Sequence, residues 1–384
     1  MKKKEIPKII IEILIFLILG IFLVCSLNYG LGLYESNKLE KVNTEQSNRE
    51  NKQKEENSNG KVDNNKSNNT NVVLTMDDKI SNNTIWCGSF QLIWNDLKND
   101  FAKQDIIFEP QLDVVNNLNK EKFNTSKISE NSYYKAQGIP TQELKNKIEK
   151  EIKEKFDETS DIVNQFTFDG NPNKYFLYAM LKKEFKFSKE FEQLKNGRFG
   201  NYENVKYFGT TKNGSEAVRG QVRVLYYNSK EDFAIKLMTV QGDEVIISKG
   251  IDKDTFSNIY EEIENRQDKY KGDSELLETD TLSIPNLNLN VEKEFNELEN
   301  KPFKISNEDS YVIDKAIQTI QFELDKTGGK VKSEAGMAIS KASLSREEPR
   351  EFSVDNTFTI FLKENDKDTP YFAAKIADIT QFQK

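Results

Sequence analysis

Ala316-Ile317-Gln318-Thr319-Ile320-Gln321-Phe322-Glu323-Leu324, running into Asp325-Lys326-Thr327-Gly328-Gly329, is the stretch on which the fold turns. It reads as a long strand closed by a hinge, because β-branched and aromatic residues fill the strand and glycines free the backbone after it. Residues 330–346 follow, polar and small, with no large aromatic. Pro349 to Phe358 then leads into two apolar strands, Thr359–Leu362 and Tyr371–Ile376, joined by a turn at Glu364–Thr369. A strand, a hinge, an exposed segment and two closing strands make an unusual order for the end of a chain.

Upstream, Ile85-Trp86-Cys87 is a short strand-like run, and Phe90, Ile93, Trp94, Leu97 and Phe101 recur at helical spacing. Pro140-Thr141 opens a helix carrying Leu144, Ile148, Ile152 and Phe156 on one face and Lys/Glu on the other. Tyr175–Leu181 is continuously apolar, as in a central strand covered on both faces. Strands are expected at Val205–Phe208, Val222–Tyr227, Phe233–Val240, Val245–Ile247, Leu282–Leu289 and Phe358–Leu362, and a further helix at Phe256–Ile263. Strands outnumber helices after residue 170, which predicts an α+β domain with large, mostly antiparallel β-sheets and surface helices.

The N-terminus sets the expected compartment. Residues 9–27 are apolar apart from Glu12, and as a helix they reach roughly 28 Å, about the thickness of a bilayer core. Lys2, Lys3, Lys4 and Lys8 precede this span and Lys38 is the first basic residue after it, so residues 1–8 are expected in the cytoplasm and the remainder outside. An uncleaved transmembrane helix acting as a signal anchor is the first reading; cleavage, or lipidation at Cys25, also exports the domain. Residues 28–82 are rich in Asn, Lys and Ser and predict a disordered tether, with ends on the order of 40 Å apart over its most polar part. Residues 83–384 are then the folded domain.

Composition narrows the function. With 55 Lys+Arg against 63 Asp+Glu the net charge is −8, which argues against nucleic acid as a partner. With no His, the chain lacks Ser-His-Asp and Cys-His nucleophile activation and HExxH zinc sites. No GxGxxG, GxxxxGK[ST] or CxxC motif occurs. Asp252-Lys253-Asp254 lacks the glycine of a calcium loop, Glu261-Glu262 reads as water-facing charge, and Cys87 as a small buried hydrophobe. No enzyme, cofactor or metal is expected.

The C-terminal order resembles that of the serpin family. Phe352, Asp355 and Phe358 match its F-x-x-D-x-P-F run, with Thr357 in the proline place; Tyr371–Ile376 resembles its closing strand, with Ala374 where glycine is usual. Ile284-Pro285-Asn286-Leu287 resembles its Leu-Pro-Lys-Phe strand, Gly242-Asp243-Glu244 its hairpin turn, and Phe185 stands where the family has a breach tryptophan. The similarity covers Asn83 to Ile376 and is strongest after Ile284. The Ser-Pro that opens the family's N-terminal helix is replaced by Cys87-Gly88, and the segment between Phe101 and Lys145 is short, so one or two N-terminal helices are expected to be missing or reduced.

The resemblance implies a suicide pseudosubstrate. A serine or cysteine protease, extracellular or of the cell envelope, would cut the reactive loop at about 330–346, and the freed hinge would enter the main sheet. With Gly328 as hinge, one strand face receives Gly329, Val331, Ser333 and Ala335, all small, and the other Lys330, Lys332 and Glu334. A one-residue slip would bury the three charges. Candidates for the scissile position are Lys341, Ala342, Ser343 and Arg346. The expectation is a monomeric protease inhibitor of the cell surface; the alternative is a non-inhibitory serpin-fold binding module of the cell envelope, favoured by the charged hinge.

Overall fold

The structure, a computed structural model, describes residues 70–306, 309–329 and 348–383. The expected cytoplasmic N-terminus, the membrane span 9–27 and the tether as far as residue 69 lie outside the described residues. So do Val331, Ser333, Ala335, Lys341, Ala342, Ser343 and Arg346. Among the described residues no helix is long and apolar enough to cross a membrane.

Seven strands form the largest sheet: β1 (Asn71–Val73), β2 (Thr84–Cys87), β10 (Val222–Ser229), β11 (Asp232–Met238), β12 (Asp243–Lys249), β20 (Phe358–Glu364) and β21 (Phe372–Ile376). Their order is β1-β2-β21-β20-β12-β11-β10, and only β1 and β2 are parallel. One row of cross-strand partners explains its cohesion. Val224, Ile235, Ile247, Ile360, Ala374, Ile85 and Val72 stand side by side in register across all seven strands, each 5% exposed or less. Such lateral apolar pairs are the unit of sheet stability. Ala373 beside Trp86 leaves room for the indole, which lies edge-on to Phe123 at 5.5 Å.

A second sheet has the order β19-β13-β9-β6, from β6 (Glu192–Gln193), β9 (Tyr207–Thr210), β13 (Thr281–Pro285) and β19 (Glu351–Ser353). Two small hairpins pair β7 (Gly197–Phe199) with β8 (Tyr202–Val205), and β15 (Pro302–Lys304) with β16 (Ser310–Val312). Two further antiparallel pairs stand apart from these sheets. One joins β3 (Tyr133–Gly138) to β4 (Phe176–Leu181), the other β14 (Leu287–Glu294) to β17 (Ile317–Leu324). A short pairing of β5 (Phe185–Lys186) with β18 (Gly328–Gly329) adjoins both.

The helices are α1 (Ser89–Asp96), α2 (Asp113–Asn119), α3 (Gln142–Phe156), α4 (Glu216–Arg219) and α5 (Phe256–Lys269). Thr141 caps α3 by accepting from Leu144 N–H, and Thr255 caps α5 by accepting from Asn258 N–H. Ile148 and Ile152 of α3 are buried with Tyr134, Phe176 and Tyr178 in a satellite cluster on β3 and β4, while the main core lies against the seven-stranded sheet.

Several expectations need correction. The tether does not run to residue 82: Asn71–Val73 is an edge strand, and Trp86 Nε1 donates to Leu74 O at 3.1 Å. The run Leu282–Leu289 is two strands in different sheets: the chain stays on β9 through the pairing Pro285↔Tyr207 and the bond from Asn286 N–H to Lys206 O at 2.9 Å, and from Leu287 it pairs with β17. The expected central strand at 175–181 is β4, Phe176–Leu181, and among the described residues it has a strand partner on one edge only, β3. The helix after Cys87 changes to a wider π-turn at Leu97–Ala102, and between Phe101 and Lys145 α2 is the only α-helix to begin before α3.

Candidate functional site

The site forms where β18, which follows β17, pairs with β5, which follows β4. Along β17, Ile320, Phe322 and Leu324 are buried and Gln321 and Glu323 exposed, the period-two pattern of a strand with one face on the core. It pairs with β14 from Leu287↔Leu324 to Glu294↔Ile317. Beyond Leu324 the chain reverses in two residues. Asp325 N–H donates to Gly328 O at 3.3 Å and Gly328 N–H to Asp325 O at 3.2 Å, while Asp325 Oδ1 accepts from Thr327 N–H and Oγ1 at 2.8 and 2.7 Å.

Gly328 is required here. Its φ is +114°, and an added Cβ would stand 2.5 Å from Phe185 O and 2.6 Å from Lys186 Cα. The returning chain then runs antiparallel to β5, Gly328 opposite Lys186 and Gly329 opposite Phe185. Phe187 N–H donates to Thr327 O at 3.1 Å and Phe191 N–H to Lys326 O at 2.9 Å, so the turn is pinned from the β5 side as well. Phe185, Phe187, Phe191 and Phe208 make a buried aromatic cluster below it, with centroids 4.8–6.5 Å apart.

Thus β18 lies between the end of β17 and β5, antiparallel to both, so β17 and β5 run parallel. Below this point neither β17 nor β4 has a second strand partner among the described residues. Residues after α3 also reach β14 and β17: Gln321 Nε2 donates to Asp161 Oδ2 at 3.3 Å and Gln165 Nε2 to Glu292 Oε2 at 2.9 Å. Both bonds are exposed, and such contacts contribute little net energy.

The far side of residues 330–347 is anchored firmly. The Arg350 guanidinium, 6% exposed, donates to Asp280 Oδ2 from Nη2 at 2.8 Å, to Tyr270 OH and Asp273 O from Nη1 at 3.1 and 2.6 Å, and to Glu275 O from Nη2 at 2.6 Å. Burial works against its charge, but the Asp280 carboxylate, itself 0% exposed, holds the Arg350 pKa above its ordinary value. Immediately after it, β19 joins the second sheet parallel to β13. Asp355, noted in the sequence as part of a motif, is a counterion: it meets buried Lys249 Nζ at 2.6 Å.

Of the hinge residues read from the sequence, Gly328 and Gly329 are brought into the breach beside Phe185. Arg350 was missed as an anchor; the only sign in the sequence was a lone Arg beside a proline at the start of a strand motif.

No protein-family model matches the sequence, and no curated protein matches it. Solved structures that it resembles include Serpin48, a highly specific serpin of the insect Tenebrio molitor, at 12% identity over 77% of this chain and 92% of that one, TM-score 0.45. Native protease nexin-1 with heparin matches at 11% identity over 66% of this chain and 80% of that one, TM-score 0.43. Manduca sexta Serpin-12 matches at 12% identity over 63% and 66%, TM-score 0.40.

Proposed function

We propose that the chain is a serpin-like pseudosubstrate, not an enzyme, held at a cell membrane by residues 9–27 with residues 330–346 as bait for an extracellular or envelope serine or cysteine protease. The observation that carries this is the reversal at Gly328, which starts a strand between β17 and β5 where the edges of β17 and β4 lack strand partners among the described residues.

Continued in the same register, the segment would set Val331, Ser333 and Ala335 opposite Phe322, Ile320 and Gln318 of β17, the residues whose side chains face the core. Lys330 would fall between Glu323 and Glu184, and Lys332 opposite Gln321, on the outer face. The register inferred from β18 therefore agrees with the one that the small-residue alternation predicts. In the reaction the protease nucleophile attacks a scissile carbonyl, with Lys341, Ala342, Ser343 and Arg346 as candidates. The peptide C–N bond breaks, the amine leaves with a proton, and the acyl-enzyme is drawn along as the freed segment inserts. At about 0.5–1.5 kcal/mol net for each ladder bond, a strand the length of β17 gains several kcal/mol, equivalent to roughly 10 °C or more in Tm.

Two measurements test this. Incubation with tryptic, elastolytic and subtilisin-like proteases is expected to give an SDS-stable complex with at least one of them. Nicking within 330–347 is expected to raise Tm. Neither a complex nor a gain in stability would leave the non-inhibitory binding module, which the charged residues Lys330, Lys332 and Glu334 favour.

A further inference from the structure

Lys183 sits between β4 and β5, beneath the breach, and reaches into the seven-stranded sheet. Its Nζ is 3.0 Å from Asp243 Oδ1 and 2.7 Å from Glu364 Oε1. Asp243 and Glu364 are direct partners at one end of the β12–β20 register, 1% and 3% exposed. Glu364 is well served: besides Lys183 it accepts from Ser129 N–H at 3.0 Å, Ser129 Oγ at 2.6 Å and Ser132 Oγ at 3.3 Å. Asp243 Oδ1 accepts from Tyr371 OH at 3.2 Å, but its Oδ2 is buried with no hydrogen-bond partner.

The other groups facing the cluster are the Tyr371 ring, 5.6 Å below Lys183 Nζ, and the buried Cys87 thiol near Tyr371. The adjacent charges Lys236, Glu244 and Lys363 pair with one another instead. Fully ionised, the cluster holds two anions and one cation, a surplus negative charge in a dry site, which is costly to keep. Burial pushes the Asp243 carboxyl up, opposed by Lys183, whereas bonds from Lys183 and Ser129 hold Glu364 below its ordinary value despite burial.

We propose that Lys183, Asp243 and Glu364 form a proton-dependent latch between the β4–β5 connection and the seven-stranded sheet, strongest when Asp243 Oδ2 carries a proton. Opening the latch hydrates Asp243, which then ionises in the usual aspartate range. Opening therefore releases a proton, and acid opposes it. A folded pKa raised above the unfolded one gives stability that is present at low pH and lost as pH rises through the folded value. The consequence for the bait rests on the insertion reading: widening the top of the slot, where β18 enters beside Phe185, strains this latch, so insertion proceeds more readily at neutral than at mildly acidic pH.

The test is the melting temperature of the intact full chain as pH rises from below the ordinary aspartate pKa, about 3.9, to about 8. Wild type is expected to lose more Tm with rising pH than Asp243→Asn, in which the surplus charge is gone. Glu364→Gln removes the same surplus and is expected to flatten the profile likewise, which covers a failure of Asp243→Asn to fold. Equal slopes in wild type and the folded variants overturn the latch, whether or not a nicked loop inserts. A flattened slope supports it even if nicking stabilises nothing, an outcome that would sink the insertion reading alone.

Discussion

Gly328→Ala probes the hinge directly. At φ +114° an L-residue is strained by about 1–3 kcal/mol, and the added methyl would meet Phe185 O at 2.5 Å and Lys186 Cα at 2.6 Å, backbone atoms that do not swing aside. The least costly relief is for the turn to leave β5, which forfeits the bonds from Phe187 N–H and Phe191 N–H to Thr327 O and Lys326 O at about 0.5–1.5 kcal/mol each. Local destabilisation on the order of 2–3 kcal/mol corresponds to roughly 30–150-fold faster opening-limited exchange at those two amides. Global melting of the intact protein should change far less, since the main core is untouched. Hydrogen exchange read by NMR or mass spectrometry is the assay, followed by melting after the loop is nicked. Unaltered protection at Phe187 and Phe191, together with a full gain in stability after nicking, would refute the idea that the reversal at Gly328 starts the incoming strand.

Val331→Asp should leave the intact protein's Tm unchanged but abolish the rise on nicking, because an ionised carboxylate on the core-facing side opposes insertion by several kcal/mol; a persisting rise would contradict the register. Arg350→Ala strips the cation from Asp280, which is 0% exposed, and should cost about 3–5 kcal/mol in urea unfolding; a loss under about 1 kcal/mol would show that the anchor is dispensable.

Local chemistry made much of the framework readable. The alternation along Ile317–Leu324 and the paired glycines 328 and 329 announce a strand and its reversal, since few other residues tolerate the turn. The spacing of Leu144, Ile148, Ile152 and Phe156 likewise located α3. What was not readable depends on partners distant in sequence. Val72 and Val73 are too short an apolar run to stand out, and only pairing with Ile85 and Trp86 makes them a strand. The change of sheet at Asn286 lies inside one alternating run, because it is decided by which strand lies alongside, β9 up to Asn286 and β17 from Leu287. Lys183 looks like any other lysine until the fold places it over Asp243 and Glu364.

The position of β20 and β21 in the seven-stranded sheet governs the timing of assembly. Among the described strands these come last in the chain, yet they occupy the middle, between β12 on one side and β2 on the other. Until they emerge from the ribosome, the N-terminal edge and the β10–β12 meander have no common border and must wait as separate fragments. Closure is thus a long-range event that waits on strands far along the chain, which favours slow folding and leaves the apolar edges of Trp86 and Val245 in need of protection in the meantime.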